Sequence, residues 1–443
     1  MRTSVRPGSA VTQGRLPSFV ERVARRTLPN GARLFVLRNP FNPTVAVSGS
    51  LYAGSLFAPS DRRLLASVTA GELTKGTERH TKLQIAEDLE SRGASLSFSA
   101  DPSDPAGVDI AGSALSRDTE LLLDRLAEIL RCPVFPADEL EKEKKRLVGS
   151  IRQQEDQTSA RAYDAATRSV YPAGHPFHRR TADERIASVE TLSREDLLRY
   201  YRERYGAGSL HLVVVGDVET GKVLDALEER LASWPTGPSR SIPEVEVPPH
   251  APGRQTVEMP DKASADVVLL QPADLTRRDA DYLACTLANS ALGQSSLTSR
   301  LGLRVRDTEG LTYGVHSSFH ATHCPGPFVV SLTVKPQARD AAVAATLDEL
   351  ARFVLSGLTA KELADEKSSR VGKFQVDLGS NFGIANALDA AVYYGFGVAY
   401  LDEFSALVRA VTREEANEAF RRRVRPDGFT IVSAGSFGKA SDH

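Results

Sequence analysis

The chain has 443 residues, which exceeds a single small module because domains usually contain about 100–200 residues. Hydrophobic residues make up 41% and charged residues 25%, the balance of a globular protein rather than a disordered or fibrous one. The formal net charge of -2 provides no overall positive field for nucleic acid or an anionic membrane, and no apolar run reaches the ~18 residues of a membrane span. Three widely separated cysteines indicate a reducing compartment rather than a disulfide framework.

The first half mixes predicted strands and helices. Residues 1–17 are polar and contain glycine and proline, which predicts a loose tail. Asn30 and Gly31 lie between two β-rich runs, the strongest short signal for a hairpin. Thr81 predicts a helix N-cap, with Leu83 and Ile85 on the inward face of that helix. The other predicted elements are strands over 20–28, 32–38, 44–53, 95–100, 108–113 and 210–215, and helices over 61–75, 118–130, 137–170 and 193–204.

The second half repeats parts of the first. Residues 192–218 resemble 411–437, and residues 137–151 resemble 360–374, at nearly equal offsets. An amphipathic helix followed by an apolar strand is common, so chance similarity is the alternative, but two collinear matches favour duplication. The predicted domains are 18–235 and 253–443, joined by a proline-rich linker over 236–252.

The predicted fold class is α+β. Because strands and helices are mixed rather than strictly alternating, we expect two similar, duplicated α/β sandwich domains. Each would contain a mostly antiparallel sheet covered by helices. The two domains would face each other across a cavity, which is a natural place for a substrate.

Several short motifs occur in a characteristic order. They are Asn30-Gly31, LTKGTE at 73–78, IAEDLESRG at 85–93, Gly174-His175-Pro176, LSREDL at 192–197, Tyr393-Tyr394-Gly395 and Tyr400-Leu401-Asp402. In this order and spacing, the sequence resembles the pitrilysin/insulinase and mitochondrial-processing-peptidase group of zinc peptidases from about residue 23 to 438. The resemblance implies a peptidase fold of two related domains.

The metal-binding motif of that family is missing here. Active members carry H-x-x-E-H on the helix before K-G-T: two imidazoles on one helix face hold zinc, and the glutamate between them is the base. A further glutamate on a downstream helix completes the site. The corresponding positions in this sequence are Ser67, Ala70, Gly71 and Ser150. Glu72 cannot replace the base, since a shift of one residue rotates a side chain by ~100°. Glu143 resembles a carboxylate near the metal ligands of active members, but a glutamate on a solvated helix face is unremarkable.

Two groups of histidines could in principle replace the lost ligands. His316, His320 and His323 lie in a predicted strand and its turn, and residues four apart on a strand are ~13 Å from each other and cannot share one ion. His175 and His178 lie in a Pro/Gly-containing loop without a convergent carboxylate. We therefore interpret both groups as packing or solvated histidines, and predict no metal site and no cofactor in this chain.

Arg306 and Tyr313 match a pair that active members use in their C-terminal half. The resemblance implies that they bind the scissile carbonyl as it gains negative charge, adding electrostatic stabilisation to that of the metal. The alternative is a surface arginine and a core or turn aromatic residue. Within the wider match, the functional interpretation is favoured.

These features predict the metal-free subunit of a heterodimeric zinc metallopeptidase. The partner would be a homologous chain that carries zinc, and the substrate an extended peptide added as an edge strand. One alternative is a non-proteolytic binding or scaffold protein that forms a homodimer or a core subunit; another is a hydrolase with a different site. A cytoplasmic location is expected, or a periplasmic one if a leader was removed.

Overall fold

A computed structural model describes residues 18–237, 241–295 and 297–437, so the predicted tail over 1–17 lies outside the described residues. The elements of the first half are α1 (Phe19–Arg22), β1 (Ala24–Thr27), β2 (Arg33–Arg38), β3 (Thr44–Leu51), α2 (Leu64–Glu72), α3 (Lys82–Glu90), β4 (Ser95–Ser99), β5 (Val108–Leu115), α4 (Thr119–Arg131), α5 (Ala137–Glu155), α6 (Thr158–Val170), α7 (Ala182–Glu190), α8 (Arg194–Arg204), β6 (His211–Gly216) and α9 (Thr220–Leu231).

The second half begins with a strand after a segment without helix or strand in its described residues. Its elements are β7 (Gly253–Glu258), β8 (Ala265–Pro272), α10 (Tyr282–Asn289), two π-helical segments (Ser290–Gln294 and Gly302–Thr308), β9 (Thr312–Phe319), β10 (Pro327–Val334), α11 (Arg339–Ser356), α12 (Ala360–Asp377), α13 (Asn381–Tyr393), α14 (Ala399–Ala410), α15 (Arg413–Arg423) and β11 (Thr430–Gly435).

The two sheets share one topology. The first has the strand order β1-β2-β6-β3-β5-β4 and the second β7-β11-β8-β10-β9, which is the same order once β1 is left out. In each sheet one pair is parallel, β2 with β6 and β7 with β11, and the other pairs are antiparallel. The prediction of an α+β fold with two similar, mostly antiparallel domains is therefore confirmed.

Each half covers the sheet of the other half with one helix. The continuous apolar run of β6 is buried on both faces: Leu212 and Val214 enter the core of the first half, whereas Val213 and Val215 pack under α13. The facing side chains of α13 are Ile384, Ala385, Leu388 and Ala391. In the same way, α6 packs Ala162, Ala165 and Ala166 against Val268, Leu270 and Val432 of the second sheet. The exchange joins the halves into one packed unit.

Buried hydrogen bonds complete the contact between α13 and the first sheet. The Asn381 side-chain amide donates to the carbonyl of Thr44 at 3.0 Å, and the Ser50 hydroxyl donates to Asp389 at 2.7 Å. Burial raises the pKa of Asp389 to about 7. Because a buried polar group is costly when it loses its partner, these bonds hold α13 in one register on the sheet.

The structure differs from three local predictions. The helix predicted over 137–170 is broken where Gln157 is extended, so α5 remains with the first half while α6 turns onto the second sheet. Residues 20–22, predicted as strand, belong to helix α1, which Ser18 caps. Leu83 is 77% exposed rather than inward, although the predicted N-cap at Thr81 is confirmed by a capping box with Gln84.

The predicted hairpin around Asn30 and Gly31 is confirmed, with a longer turn. Strands β1 and β2 pair antiparallel up to Thr27 and Arg33, and only Gly31 has a positive φ, +94°. The Asn30 side chain instead donates to the carbonyls of Leu231 (2.7 Å) and Trp234 (3.0 Å). The turn is therefore stabilised both by its own backbone hydrogen bonds, from Leu28 N–H to the carbonyl of Ala32 and from Gly31 N–H to the carbonyl of Leu28, and by contacts with the end of α9.

Glu72, the last residue of α2, is almost completely buried. Burial is the main cause that raises its pKa to about 7; Glu143 and Glu139 on the neighbouring helix α5 raise it further, and Lys75 and Lys82 oppose them. Its Oε2 atom has no hydrogen-bond partner among the described residues. This carboxyl group is therefore more stable in the fold when it is protonated.

We expect Leu388→Ala to destabilise the protein by about 2–5 kcal/mol, because Leu388 is completely buried where α13 covers the first sheet. Urea unfolding measures this change. The matched control is Leu355→Ala on α11, since Leu355 is 86% exposed. Equal midpoints for the two variants would contradict the assignment of α13 to the core between the halves.

We expect Glu72→Gln to change the pH dependence of stability. The folded-state pKa of about 7 lies above the ordinary value of 4.5, so the wild-type protein loses stability as the pH rises through this window. The melting temperature of the variant minus that of the wild type should increase as the pH rises from 5 to 8. Glu141→Gln, at an exposed site of α5, is the control. A difference that is independent of pH would contradict the burial of a titrating carboxyl.

Candidate functional site

Helix α2 places three of the four predicted metal positions on one turn. Ser67 is half-buried and its hydroxyl donates to the carbonyl of Leu64 at 3.0 Å. Ala70 is completely buried. Gly71 is exposed, and a Cβ atom added there would meet nothing within 4 Å. The backbone therefore leaves room for a side chain at position 71, but the residue supplies none.

Ser150, the fourth position, lies half-buried on α5, which contacts α2. Together the four positions offer two hydroxyls, a methyl and a hydrogen, whereas zinc in proteins is held by imidazole, thiolate and carboxylate. Within residues 18–237, 241–295 and 297–437, no three His, Cys, Asp or Glu side chains converge as metal ligands would. The residues at this site therefore do not fit a zinc ion.

Glu143 lies on the same helix as Ser150 and is engaged within its own helix. Its two carboxylate oxygens accept from the guanidinium of Arg146 at 2.6 and 2.7 Å, in a bidentate pair one turn apart. The side chain of Arg146 is largely exposed. This pair is an ordinary helix-surface interaction and does not indicate a role in chemistry.

The two loop histidines are held by packing. His175 stacks on Tyr171 with ring centroids 4.4 Å apart, and burial lowers its pKa to about 4. A ring nitrogen of His178 lies 2.7 Å from the carbonyl oxygen of Tyr171. Both rings therefore contribute to the structure of the loop around Tyr171.

The three histidines of the second half have different neighbours. His316 is exposed on β9, with Nδ1 3.1 Å from the carbonyl oxygen of Gln294. His320 stacks on Tyr163 of α6. His323 contacts the carbonyl oxygen of Tyr393 at 3.2 Å, and burial lowers its pKa to about 4. These surroundings agree with their interpretation as packing or solvated residues.

Arg306 and Tyr313 lie on either side of a tight turn. Arg306 belongs to the second π-helical segment, and its carbonyl accepts from the N–H of Gly310 at 3.1 Å, with Gly310 at φ +64°. Tyr313 follows as the second residue of β9, the edge strand of the second sheet. Its side chain is 63% exposed, and Arg306 is paired only loosely with Asp307 at 3.6 Å. Both functional groups therefore remain accessible from solvent.

A pocket beside α2 contains residues that the sequence analysis did not single out. It has a volume of about 140 Å³, includes Ser67 in its lining, and brings together four arginines, Arg63, Arg179, Arg180 and Arg185. The adjacent Arg179 and Arg180 directly after the histidine loop are a local signal. Arg63 and Arg185 are distant in sequence, and only the fold brings them to the same place.

No helix within the described ranges combines the length and apolarity needed to cross a bilayer.

Comparisons with known proteins support the architecture. A solved structure described as a peptidase M16 inactive domain from Pseudomonas fluorescens superimposes with a TM-score of 0.84 at 26% identity, covering 94% of this chain and 98% of that one. An uncharacterized zinc protease of Rickettsia felis is 24% identical over 303 residues, 67% of this chain and 69% of its own length. The non-peptidase homolog YmxG of Helicobacter pylori is 24% identical over 311 residues, 70% and 69% of the two chains.

Two family models match most of the chain. The model for insulinase, peptidase family M16, matches residues 33–178, and the model for the peptidase M16 inactive domain matches residues 191–370. These matches agree with the resemblance inferred from the ordered motifs. The chain belongs to the insulinase family of peptidases, peptidase family M16, and is a member of its inactive type.

Proposed function

We propose that this chain is the metal-free subunit of a two-chain zinc metallopeptidase, and that it supplies Arg306 and Tyr313 to the zinc site of a homologous partner. The observation that carries the proposal is a contrast between the halves. Helix α2 has serine, alanine and glycine at the metal positions, whereas Tyr313 is exposed at the start of an edge strand and Arg306, in the segment before it, is partly exposed.

The chemistry of the pair suits a developing oxyanion. A phenol donates one hydrogen bond, and a guanidinium donates two in a fixed fork, so together they stabilise negative charge on a carbonyl oxygen. The partner's H-x-x-E-H helix would supply the metal and the base. This chain would therefore bind and orient the peptide bond while the partner provides the hydrolytic chemistry.

The surface around the pair supports a protein interface. The segment that leads to Tyr313 also exposes Leu297 (61%) and Leu303 (48%). Exposed apolar side chains close to functional polar groups are typical of surfaces that a partner covers. Because β9 is an edge strand, an extended peptide could add beside it through main-chain hydrogen bonds.

A second candidate function is binding or scaffolding without proteolysis, as a homodimer or a core subunit. The match to a relative named a non-peptidase homolog favours it. The two functions differ in one measurable way: a scaffold does not need the hydroxyl of Tyr313 or the guanidinium of Arg306.

We expect activity to appear when the purified chain is mixed with a homologue that carries H-x-x-E-H. Cleavage of a fluorogenic peptide by the pair should fall about 100-fold for Tyr313→Phe and for Arg306→Ala, because removing one donor to an oxyanion typically costs 10²–10³ in kcat. Size-exclusion chromatography checks that each variant still forms the pair.

The matched control for Tyr313 is Tyr400→Phe; Tyr400 lies on α14, and its ring stacks on that of Phe396. The matched control for Arg306 is Arg413→Ala, because Arg413 pairs with the adjacent Glu414 as Arg306 does with Asp307. Both controls should keep full activity. Full activity of the Tyr313 and Arg306 variants would refute their assisting role. A chain that forms only homodimers would favour the scaffold function.

A further inference from the structure

The pocket beside α2 is enclosed by elements of the first half. Leu64 and Ser67 of α2 form one side, and Arg185 and Ser188 of α7 belong to its lining. Its volume of about 140 Å³ is below the 300–1,000 Å³ typical of sites for drug-sized ligands. The space therefore suits one side chain or one chain end rather than a whole small molecule.

Positive charge predominates in the lining. The lining contains four arginines but only two acidic residues, Asp61 and Asp101. Some of the arginines also have carboxylate partners just outside the lining: Arg185 and Arg179 share Asp164 at 2.9 and 3.2 Å. Arg180 pairs with Glu184 at 3.2 Å, and Arg63 donates to the carbonyls of Ser55 and Gly174. These contacts hold the guanidinium groups in place without using all their donors.

Several buried donors in this lining lack an acceptor. Among the residues that the structure describes, the Nε atoms of Arg180 and Arg185 and the hydroxyl of Ser188 are buried and have no hydrogen-bond partner. Arg185 itself is only 7% exposed. A buried donor without an acceptor is costly, and a carboxylate accepts several hydrogen bonds through its two oxygens. With four arginines and two aspartates in its lining, the site therefore offers a positively charged complement to a carboxylate.

Apolar side chains complete the wall, and a second pocket lies next to this one. Leu64, Pro102 and Phe177 lie in the lining with the arginines. Tyr163 and Arg179 also line a second, more open pocket of about 480 Å³ between α6 and the second sheet. Tyr163 and Arg179 therefore belong to the linings of both pockets.

We propose that this pocket binds a peptide through a carboxylate that lies next to an apolar side chain, either at the end of the chain or on an acidic residue. The guanidinium groups of Arg180 and Arg185 and the hydroxyl of Ser188 would bind the carboxylate, with Phe177 and Leu64 against the apolar group. The site uses the first half alone. It requires neither the partner subunit nor Arg306 and Tyr313, so its test is independent of the proposed function.

Calorimetric titration of the full chain with three acetylated tripeptides tests the proposal. The first is alanyl-alanyl-phenylalanine with a free carboxyl end, the second is the same peptide as an amide, and the third is alanyl-glutamyl-phenylalanine as an amide. We expect at least one carboxylate peptide to bind about tenfold or more tightly than the uncharged amide, and the tighter of the two identifies the source of the carboxylate. Equal affinity for all three peptides, or no binding of any, would overturn the proposal.

Two mild variants assign the binding to this pocket. Arg180→Gln should weaken the preferred carboxylate peptide about tenfold and leave the uncharged amide unchanged, and Ser188→Ala should weaken it by a smaller factor. Arg352→Gln is the matched control, because Arg352 also pairs with a carboxylate one helical turn away, Asp348. Unfolding midpoints confirm that the variants are folded. Unchanged affinity in Arg180→Gln would place the binding elsewhere and overturn the proposal.

Discussion

The exchange of helices between the halves is the interaction on which the rest of the structure depends. Strand β6 is apolar on both faces, so its sheet needs a cover on each side, and α13 of the second half provides one of them. Helix α6 does the same for the second sheet. Because the corresponding helix is exchanged in each direction, neither sheet keeps its full cover when the halves separate. The arrangement also leaves β9, with Tyr313, at an outer edge.

The packing of α2 does not depend on metal ligands. The helix is held by buried apolar residues such as Leu65 and Val68; of its metal positions, Ala70 joins this core whereas Gly71 faces open space. The core of the first half therefore forms with serine, alanine and glycine at these positions. The same region combines a nearly buried Glu72 with an arginine-lined pocket beside Ser67.

Local features were predictable from sequence, and long-range ones were not. The N-cap at Thr81 and the hairpin at Asn30 and Gly31 depend on a few neighbouring residues, and the duplication was readable from two collinear matches. The apolar face around Leu388 indicates burial, but not that the covering surface belongs to the other half. The break at Gln157 is likewise not predictable from the local sequence, because it depends on the packing of α6 against the sheet of the second half. The positions of Arg306 and Tyr313 came from a family resemblance, whereas Arg63 and Arg185 meet only in the fold.

The central claim is that this polypeptide depends on another chain for its metal. Zinc analysis combined with native mass spectrometry tests it directly, first on the purified chain and then on the chain co-expressed with a homologue that carries H-x-x-E-H. We expect no stoichiometric zinc in the chain alone and one zinc ion per heterodimer. A homogeneous preparation of the single chain with one tightly bound zinc ion, lost on substitution at Ser67 or Ser150, would contradict it.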